Sequence, residues 1–450
     1  MTRIDRNRLR DAVDRGRLLD LLEAGLRAIE PGRLVRAAVT CDGASLRFGD
    51  RVHDAGRGRV WILSVGKAAL AMASAAVGVL GPHLAGGLAI TRYGYGGIVA
   101  GLRVFEAGHP FPDRHGLLAS REVVDWIDRV DDGDLVLCLL SGGGSALLAR
   151  PPDEIDVEEL ATTTRILLES GAAIDEINTV RRHLSRLQGG RLARLLDPAE
   201  VWTLALSDVV GDRLEAIASG PTVPDPTTFR DAWRVLEARR LLGAVPPSVR
   251  TYLERGLTGQ VPETPKPGDP AFARTLARVI GGNRTIVDAI CRSGREVGLR
   301  VVRVDEPAVG EAREVGRDLG RRARSLAANA GESILMVAGG ETTVRVVGSG
   351  LGGRNQELAL AAAIEIDGLT NVRIAALATD GTDGPTDAAG AIVDGETIAR
   401  AGDAGLAASE ALAGNDAHPL LAASGDLLFT GPTRTNVADV TVAWIDPTGR

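Results

Sequence analysis

Apolar positions change their period repeatedly along the chain. Leu18, Leu21, Leu22 and Leu26 recur at helical spacing, so the stretch to about Asp54 predicts an amphipathic helix followed by a short hairpin-like passage. From Val60 onward, short continuous apolar runs alternate with helix-period segments. The runs Val60–Val65, Leu88–Ile90, Val104–Glu106, Leu135–Leu139 and Val201–Leu206 read as strands. Leu117–Val130, Val157–Ser170 and Leu184–Leu196 read as helices between them. Strands that are apolar throughout indicate a parallel sheet covered on both faces. Between Gly220 and Pro270 lie nine of the 21 prolines, which block helix interiors and central strands, and only Asp231–Leu242 keeps a helical period. Beyond about Ala271 the alternation resumes, with Val279–Ile280, Leu299–Val304, Ile334–Val337, Val344–Val347, Val372–Ala378, Leu427–Phe429 and Val440–Ile445 as strands. The expected fold class is α/β, with two α/β domains of mostly parallel, helix-covered sheets and an interdomain cleft. The expected boundaries are 1–240 for the first domain, 241–270 for a proline-rich connection and 271–450 for the second. A cleft between two such domains is a usual place for ligands.

Composition narrows the function. With 44% hydrophobic and 25% charged residues, the 450-residue chain has ordinary globular content. A net charge of −7 and 3% aromatic residues argue against a nucleic-acid binder and a polybasic membrane surface, leaving small molecules as the expected partners. Cys41, Cys138 and Cys291 are odd in number and far apart, which fits a reducing compartment without structural zinc. The first residues are charged, with no apolar signal core, and no run of about 18 apolar residues occurs. The expected location is cytoplasmic, and a homo-oligomer is allowed.

One count directs attention to the chemistry. Of 52 basic residues only Lys67 and Lys266 are lysines; the other 50 are arginines. A lysine kept against such a bias is a candidate for a role that a planar guanidinium cannot fill. Lys266, in PETPKPGDP, reads as a solvated linker residue. Lys67, in VWILSVGKAALAMASAA, lies at a strand-to-helix turn, a usual ligand position.

The glycine-rich turns carry the rest. In DLVLCLLSGGGSALLARPP a buried strand runs into Ser141, Gly142, Gly143, Gly144 and Ser145, and a helix is expected near Ala146. Three glycines allow close backbone approach to an anion, with the helix N-terminus favouring negative charge. Neither this turn nor the Gly66 turn fits a Walker A loop or a dinucleotide fingerprint. Asp208 and Asp212 follow the strand ending at Leu206, where open α/β sheets bind ligands, although Asp also caps helices there. Asp380, Asp383 and Asp387 on a glycine-bearing loop suit magnesium with oxygen ligands, or plain turn chemistry. Glu341 follows a strand, and Arg354 with Asn355 opens an Ala/Leu helix after three glycines, placed to hold a carboxylate or phosphate. His109 and His183 read as structural histidines.

SVGKAA, AGHPFPD, SGGGSALL, NTVRRHLSRLQGGRLA, SDVVGDRLEAIASGPT, GGETTV, GLGGRNQELAL, TDGTDGPTDAAGAIVD and HPLLAASGDLLFTGPTRTNVADV occur in that order. Over about residues 15–442 the chain resembles the class II glycerate 2-kinases, whose C-terminal region carries the domain called MOFRL. The resemblance implies a Rossmann-like first domain, a MOFRL-like second one, ATP with a divalent cation, and transfer of the γ-phosphoryl group to the 2-hydroxyl of D-glycerate. It points to Lys67 and Asp208 as catalytic residues and matches Arg354. Where the family has lysines, this chain has Arg182 and Gln188. The roles expected are Ser141–Ser145 with Glu341, Arg354 and Asn355 for substrate and nucleotide, and Asp380 and Asp383 for Mg2+. Hydroxypyruvate reductase, a label some members have carried, ranks second for want of a dinucleotide fingerprint. A non-catalytic sugar-acid or nucleotide sensor ranks third.

Overall fold

The strands anticipated from the apolar runs are nearly all present in the computed structural model, which describes residues 3–11 and 15–447. The chain folds as two compact units, Pro31–Ile280 and Met1–Glu30 together with Gly281–Arg450.

In the Pro31–Ile280 unit, β1 (Val39–Asp42), β2 (Ser45–Phe48) and β3 (Arg51–Asp54) form a small antiparallel sheet. The main sheet contains β4 (Val60–Val65), β5 (Leu84–Arg92), β6 (Leu102–Ala107), β7 (Leu135–Leu140), β8 (Glu200–Leu206) and β9 (Thr275–Gly281), in the order β6-β5-β4-β7-β8-β9. The pairs β5/β6, β4/β5, β4/β7 and β7/β8 are parallel. Strands β4 and β7 are buried at every position, as their unbroken apolar runs require. Trp61, Leu63, Val65, Val136 and Leu140 pack against Val123 and Trp126 of the helix Arg114–Ile127. Each such side chain contributes about 1.5–3 kcal/mol on burial. The chain leaves β4 toward β5 and β6, then returns to β7 and β8 on the other side. The point where the strand order reverses therefore lies between β4 and β7, and open α/β sheets bind ligands outside the carboxyl ends of the strands there.

The proline-rich stretch packs into this unit. Phe229, Leu236, Val249, Leu253 and Val261 close a second apolar cluster with Leu160, Leu167, Val180 and Leu184. Lys266 is half-buried, donating to the Thr227 carbonyl and to Thr264 Oγ1 at 2.6 Å, so it is a packed residue and not a solvated linker lysine. The boundary expected at 240 and the connection at 241–270 give way to a unit running to 280. Of the helix expected over 184–196 only Arg191–Leu196 forms, because Gly189 and Gly190 adopt φ of 59° and 80°; a separate helix, Ile174–His183, ends before it.

In the other unit, the helix Gly16–Ala28 packs on the helix Asn283–Glu296, with Gly25 facing Ile286 and Ile290 so closely that a Cβ would lie 2.7 Å from Ile290. Arg15, 1% exposed, pairs with Asp394 at 2.5 Å and Asp426 at 2.7 Å, and Arg400 contacts the same two carboxylates at 2.9 and 3.0 Å. These contacts are why the first residues join the last. The sheet contains β10 (Arg300–Arg303), β12 (Ile334–Gly340), β14 (Val372–Ala378), β15 (Gly390–Asp394), β16 (Leu427–Leu428) and β17 (Asp439–Ile445), in the order β10-β12-β17-β14-β15-β16. Two short strands, β11 (Gly310–Glu311) and β13 (Thr342–Thr343), pair separately.

Here the expectation of a mostly parallel sheet meets a mixed one. Only β10/β12 is parallel; β17 enters between β12 and β14 in the opposite direction, β15 and β16 each reverse again, and the four other pairs are antiparallel. Continuous apolarity reports burial on both faces, not strand direction. Alternate residues of β12 show it: Met336 packs with Leu319 and Leu358, while Leu335 faces Gly294. The strand expected at Val344–Val347 is an irregular segment. Val346 and Val347 are exposed, and Asn415 Oδ1 accepts the Val347 and Gly348 amides at 2.8 and 3.1 Å, doing what a neighbouring strand would have done. Among the described residues no helix is long and apolar enough to cross a membrane.

Candidate active site

The carboxyl ends of β4 and β7 bring the first predicted residues together. Gly66, at φ 129°, turns the chain out of β4; a Cβ there would lie 2.5 Å from the Ser141 carbonyl oxygen, so only glycine fits. The Lys67 amide donates to the Gly142 carbonyl at 2.9 Å, and the Ala68 amide to Ser141 Oγ at 3.0 Å. The two turns are thus stitched to each other across the switch point. On the other side of the glycine turn, a Cβ on Gly143 would lie 3.0 Å from His109 Cδ2 and 3.6 Å from Lys67 Cγ. Lys67, His109 and the Ser141–Ser145 turn therefore form one cluster. His109 was expected to be structural; its signal was AGHPFPD, at the carboxyl end of β6, the edge strand beyond β5.

The glycine turn differs from expectation in one respect. The helix after it is a single turn, Gly144–Leu147, too short for a large dipole. What the turn offers is backbone: the Gly142 and Gly143 amides have no hydrogen-bond partner among the described residues. Two such successive amides form an anion-binding concavity. The turn is braced from below. Gln188 Nε2 donates to the Ser145 and Leu148 carbonyls at 2.8 and 3.1 Å, and Ser145 Oγ lies 2.8 Å from Ser219 Oγ. Gln188 thus supports the turn where the family has a lysine. Arg182 pairs with buried Asp225 at 3.3 Å. Ala218, Ser219 and Gly220 all have left-handed backbones, φ 50°, 58° and 58°. Two consecutive non-glycine residues there cost about 1–2 kcal/mol each, strain of the kind that collects at functional sites. Asp208 follows the end of β8, two strands from β4, which places its backbone roughly 10 Å from Lys67.

The remaining predicted residues lie in the other unit, and they make a different structure. Arg354 opens the helix Arg354–Glu365 and grips Asp439 bidentately at 2.5 and 2.9 Å, with Glu341 at 2.9 Å. Burial alone would lower the Arg354 pKa; these carboxylates outweigh it and raise it. The guanidinium is the centre of an ion-pair cluster instead of the open anion fork expected. Asp383, 1% exposed, accepts from Asn355 N at 3.0 Å, Asn355 Nδ2 at 3.3 Å, Gln356 N at 2.9 Å and Gln356 Nε2 at 3.0 Å. Its oxygens are taken up in capping this helix. Asp380 accepts from the Thr382 amide at 3.2 Å. Among the described residues no group of three or more His, Cys, Asp or Glu is placed to hold a metal ion. Asp383 is thus held as the cap of this helix, with both carboxylate oxygens engaged. Beside it, Asn355 Oδ1 and Thr342 Oγ1 are buried without a hydrogen-bond partner among the described residues, in a small recess lined also by Gly340 and Asp439.

Comparison with known proteins agrees with this layout. A family model described as a domain of unknown function, DUF4147, matches residues 17–254, and the MOFRL family model matches residues 334–439. A glycerate 2-kinase of Pyrococcus horikoshii is 42% identical over 436 residues, covering 94% of this chain and 97% of the relative. The chain belongs to the class II glycerate kinase family. Another relative, a D-glycerate 2-kinase of Thermotoga maritima, is 41% identical over 86% of this chain and 91% of its own. A crystal structure of glycerate kinase from Thermotoga maritima superposes with a TM-score of 0.82 at 38% identity, covering 95% of this chain and 98% of that one. In this glycerate kinase family chain, the glycine turns fall within the first matched region, and the Arg354 cluster and acidic loop within the second.

Proposed function

We propose that the chain is a D-glycerate 2-kinase that uses ATP. The observation that carries the chemistry is the cluster at the switch point, where the Lys67 stem lies against Gly143 beside His109. The acceptor is carried by the names of relatives at 41–42% identity. In this reading the 2-hydroxyl oxygen of glycerate attacks the γ-phosphorus, the β–γ bridging oxygen leaves with ADP, and the hydroxyl proton passes to the Asp208 carboxylate. Lys67 neutralises charge on the transferring phosphoryl group, where positioning and electrostatics supply most of the catalysis. The Gly142 and Gly143 amides hold an anionic group of substrate or nucleotide. No step is assigned to Asp380 or Asp383.

Phosphorus NMR of the product made from ATP and D-glycerate tests activity and regiochemistry together. The expected product is 2-phosphoglycerate, with no oxidation of NADH when hydroxypyruvate is supplied. Robust NADH oxidation without ATP turnover would replace the kinase with the reductase.

A further inference from the structure

Behind the glycine turn of the Pro31–Ile280 unit lies a small recess walled by Leu148, Ala149 and Leu160, with Ser145 at its rim. Arg181, from the helix Ile174–His183, lines it. Its neighbours in sequence and space are engaged: Arg182 pairs with Asp225 at 3.3 Å, and Arg150 with Asp153 at 3.1 Å. Among the described residues the Arg181 guanidinium makes no ion pair and no side-chain hydrogen bond. Burial pushes its pKa down to about 10, with no carboxylate near enough to offset the loss of water. The side chain is half-buried, and a cation that has lost part of its water without gaining a partner favours an anionic ligand.

The recess also supplies a hydroxyl donor. Ser185 Oγ accepts the Leu187 and Gln188 amides at 3.2 and 3.1 Å, which leaves its own hydrogen to point elsewhere. Space inside is that of a single small group, too little for a nucleotide. Ser145, which lines the recess, is two residues along the chain from Gly143, against which the Lys67 stem packs, so the recess and the Lys67 turn are neighbours. We propose that Arg181 binds the carboxylate of the short 2-hydroxy acid, bidentately and with Ser185 as a further donor, so that the 2-hydroxyl is presented toward Lys67 and neutral polyols are rejected. The assignment rests on the kinase reading for the identity of the acid.

The test uses full-length Arg181→Gln and Arg181→Lys, with D-glycerate and glycerol as alternative acceptors. In Arg181→Gln the KM for D-glycerate should rise on the order of 100-fold while the KM for ATP stays within about threefold. The preference for D-glycerate over glycerol in kcat/KM should fall by a similar factor, and Arg181→Lys should recover part of it. A packing role alone would not alter that ratio. An unchanged KM for D-glycerate, or a rise in the KM for ATP instead, would overturn the proposal. Melting temperature with and without D-glycerate separates the two readings. If the wild type transfers no phosphoryl group yet is stabilised by D-glycerate, and Arg181→Gln is not, the kinase reading fails and the carboxylate site stands. If D-glycerate stabilises the wild type and Arg181→Gln equally, the carboxylate site fails.

Discussion

A guanidinium in place of the Lys67 ammonium would extend from a stem that already packs against Gly143 beside His109. It is longer and planar, and it spreads its charge where a compact ammonium concentrates it. Lys67→Arg is therefore expected to lose about 10²–10³ in turnover, the usual cost of one transition-state contact, with its melting temperature nearly unchanged. Near-native turnover in that variant would make the lysine incidental. Lys266 is the natural control, since its ammonium serves the Thr227 carbonyl and the Thr264 hydroxyl far from the glycine turn in sequence. The Gly66–Lys67 and Ser141–Ser145 turns were legible because each joins a fully apolar strand to a helix in a few residues. Arg181 was not. Among 50 arginines one more carries no signal, and its isolation depends on which side chains from distant segments fail to reach it.

The helix Arg354–Glu365 shows how one element can absorb a motif whose residues suit chemistry. Asp383 accepts four hydrogen bonds from Asn355 and Gln356 at the first turn of that helix. Asp383→Asn replaces an acceptor oxygen by a donor against backbone N–H groups. It should cost about 1–3 kcal/mol, read as a lower melting temperature, while the magnesium titration of activity keeps its midpoint. A weakened magnesium response at unchanged stability would return Asp383 to the metal. The spacing D-G-T-D-G-P-T-D serves a cap or a cation equally well. Which it serves is decided by a helix start some 27 residues away, and single-sequence reading does not see that contact. The same limit explains the lost strand at Val344–Val347, whose amides are satisfied by Asn415.

For the molecule as a whole, the ion cluster of Arg15, Arg400, Asp394 and Asp426 ties the first residues to the last. Burial would raise the Asp394 pKa, but Arg400 and Arg15 outweigh it and hold it near 2, below its ordinary value. A depressed carboxylate contributes stability above the unfolded pKa of about 4 and loses it as the pH falls through the folded value, here about 2 kcal/mol between pH 4 and 2. The wild type should therefore lose melting temperature in that window more steeply than Arg15→Met, and parallel curves would mean that the pair is energetically idle. At neutral pH the Arg15→Met variant should be less stable by about 3 kcal/mol, because buried Asp426 and half-buried Asp394 lose a partner. At this scale the sequence showed the α/β alternation and both cores, since two-sided burial leaves an unbroken apolar run. Strand direction in the second sheet and the allegiance of residues 1–30 leave no such local trace.

Seen along the chain, the Pro31–Ile280 unit is an insertion within the other one. During synthesis the helix Gly16–Ala28 leaves the ribosome first, but its packing partner Asn283–Glu296 comes some 250 residues later. At 5–20 residues per second that is roughly 10–50 s. Through this interval Leu18, Leu19, Leu22 and Leu26 have no native surface to cover them, while the inserted unit can already close its own core. A nascent chain halted after residue 280 should accordingly resist protease over 31–280 and be cut within its first 30 residues. The segment made first is thus among the last to find its place.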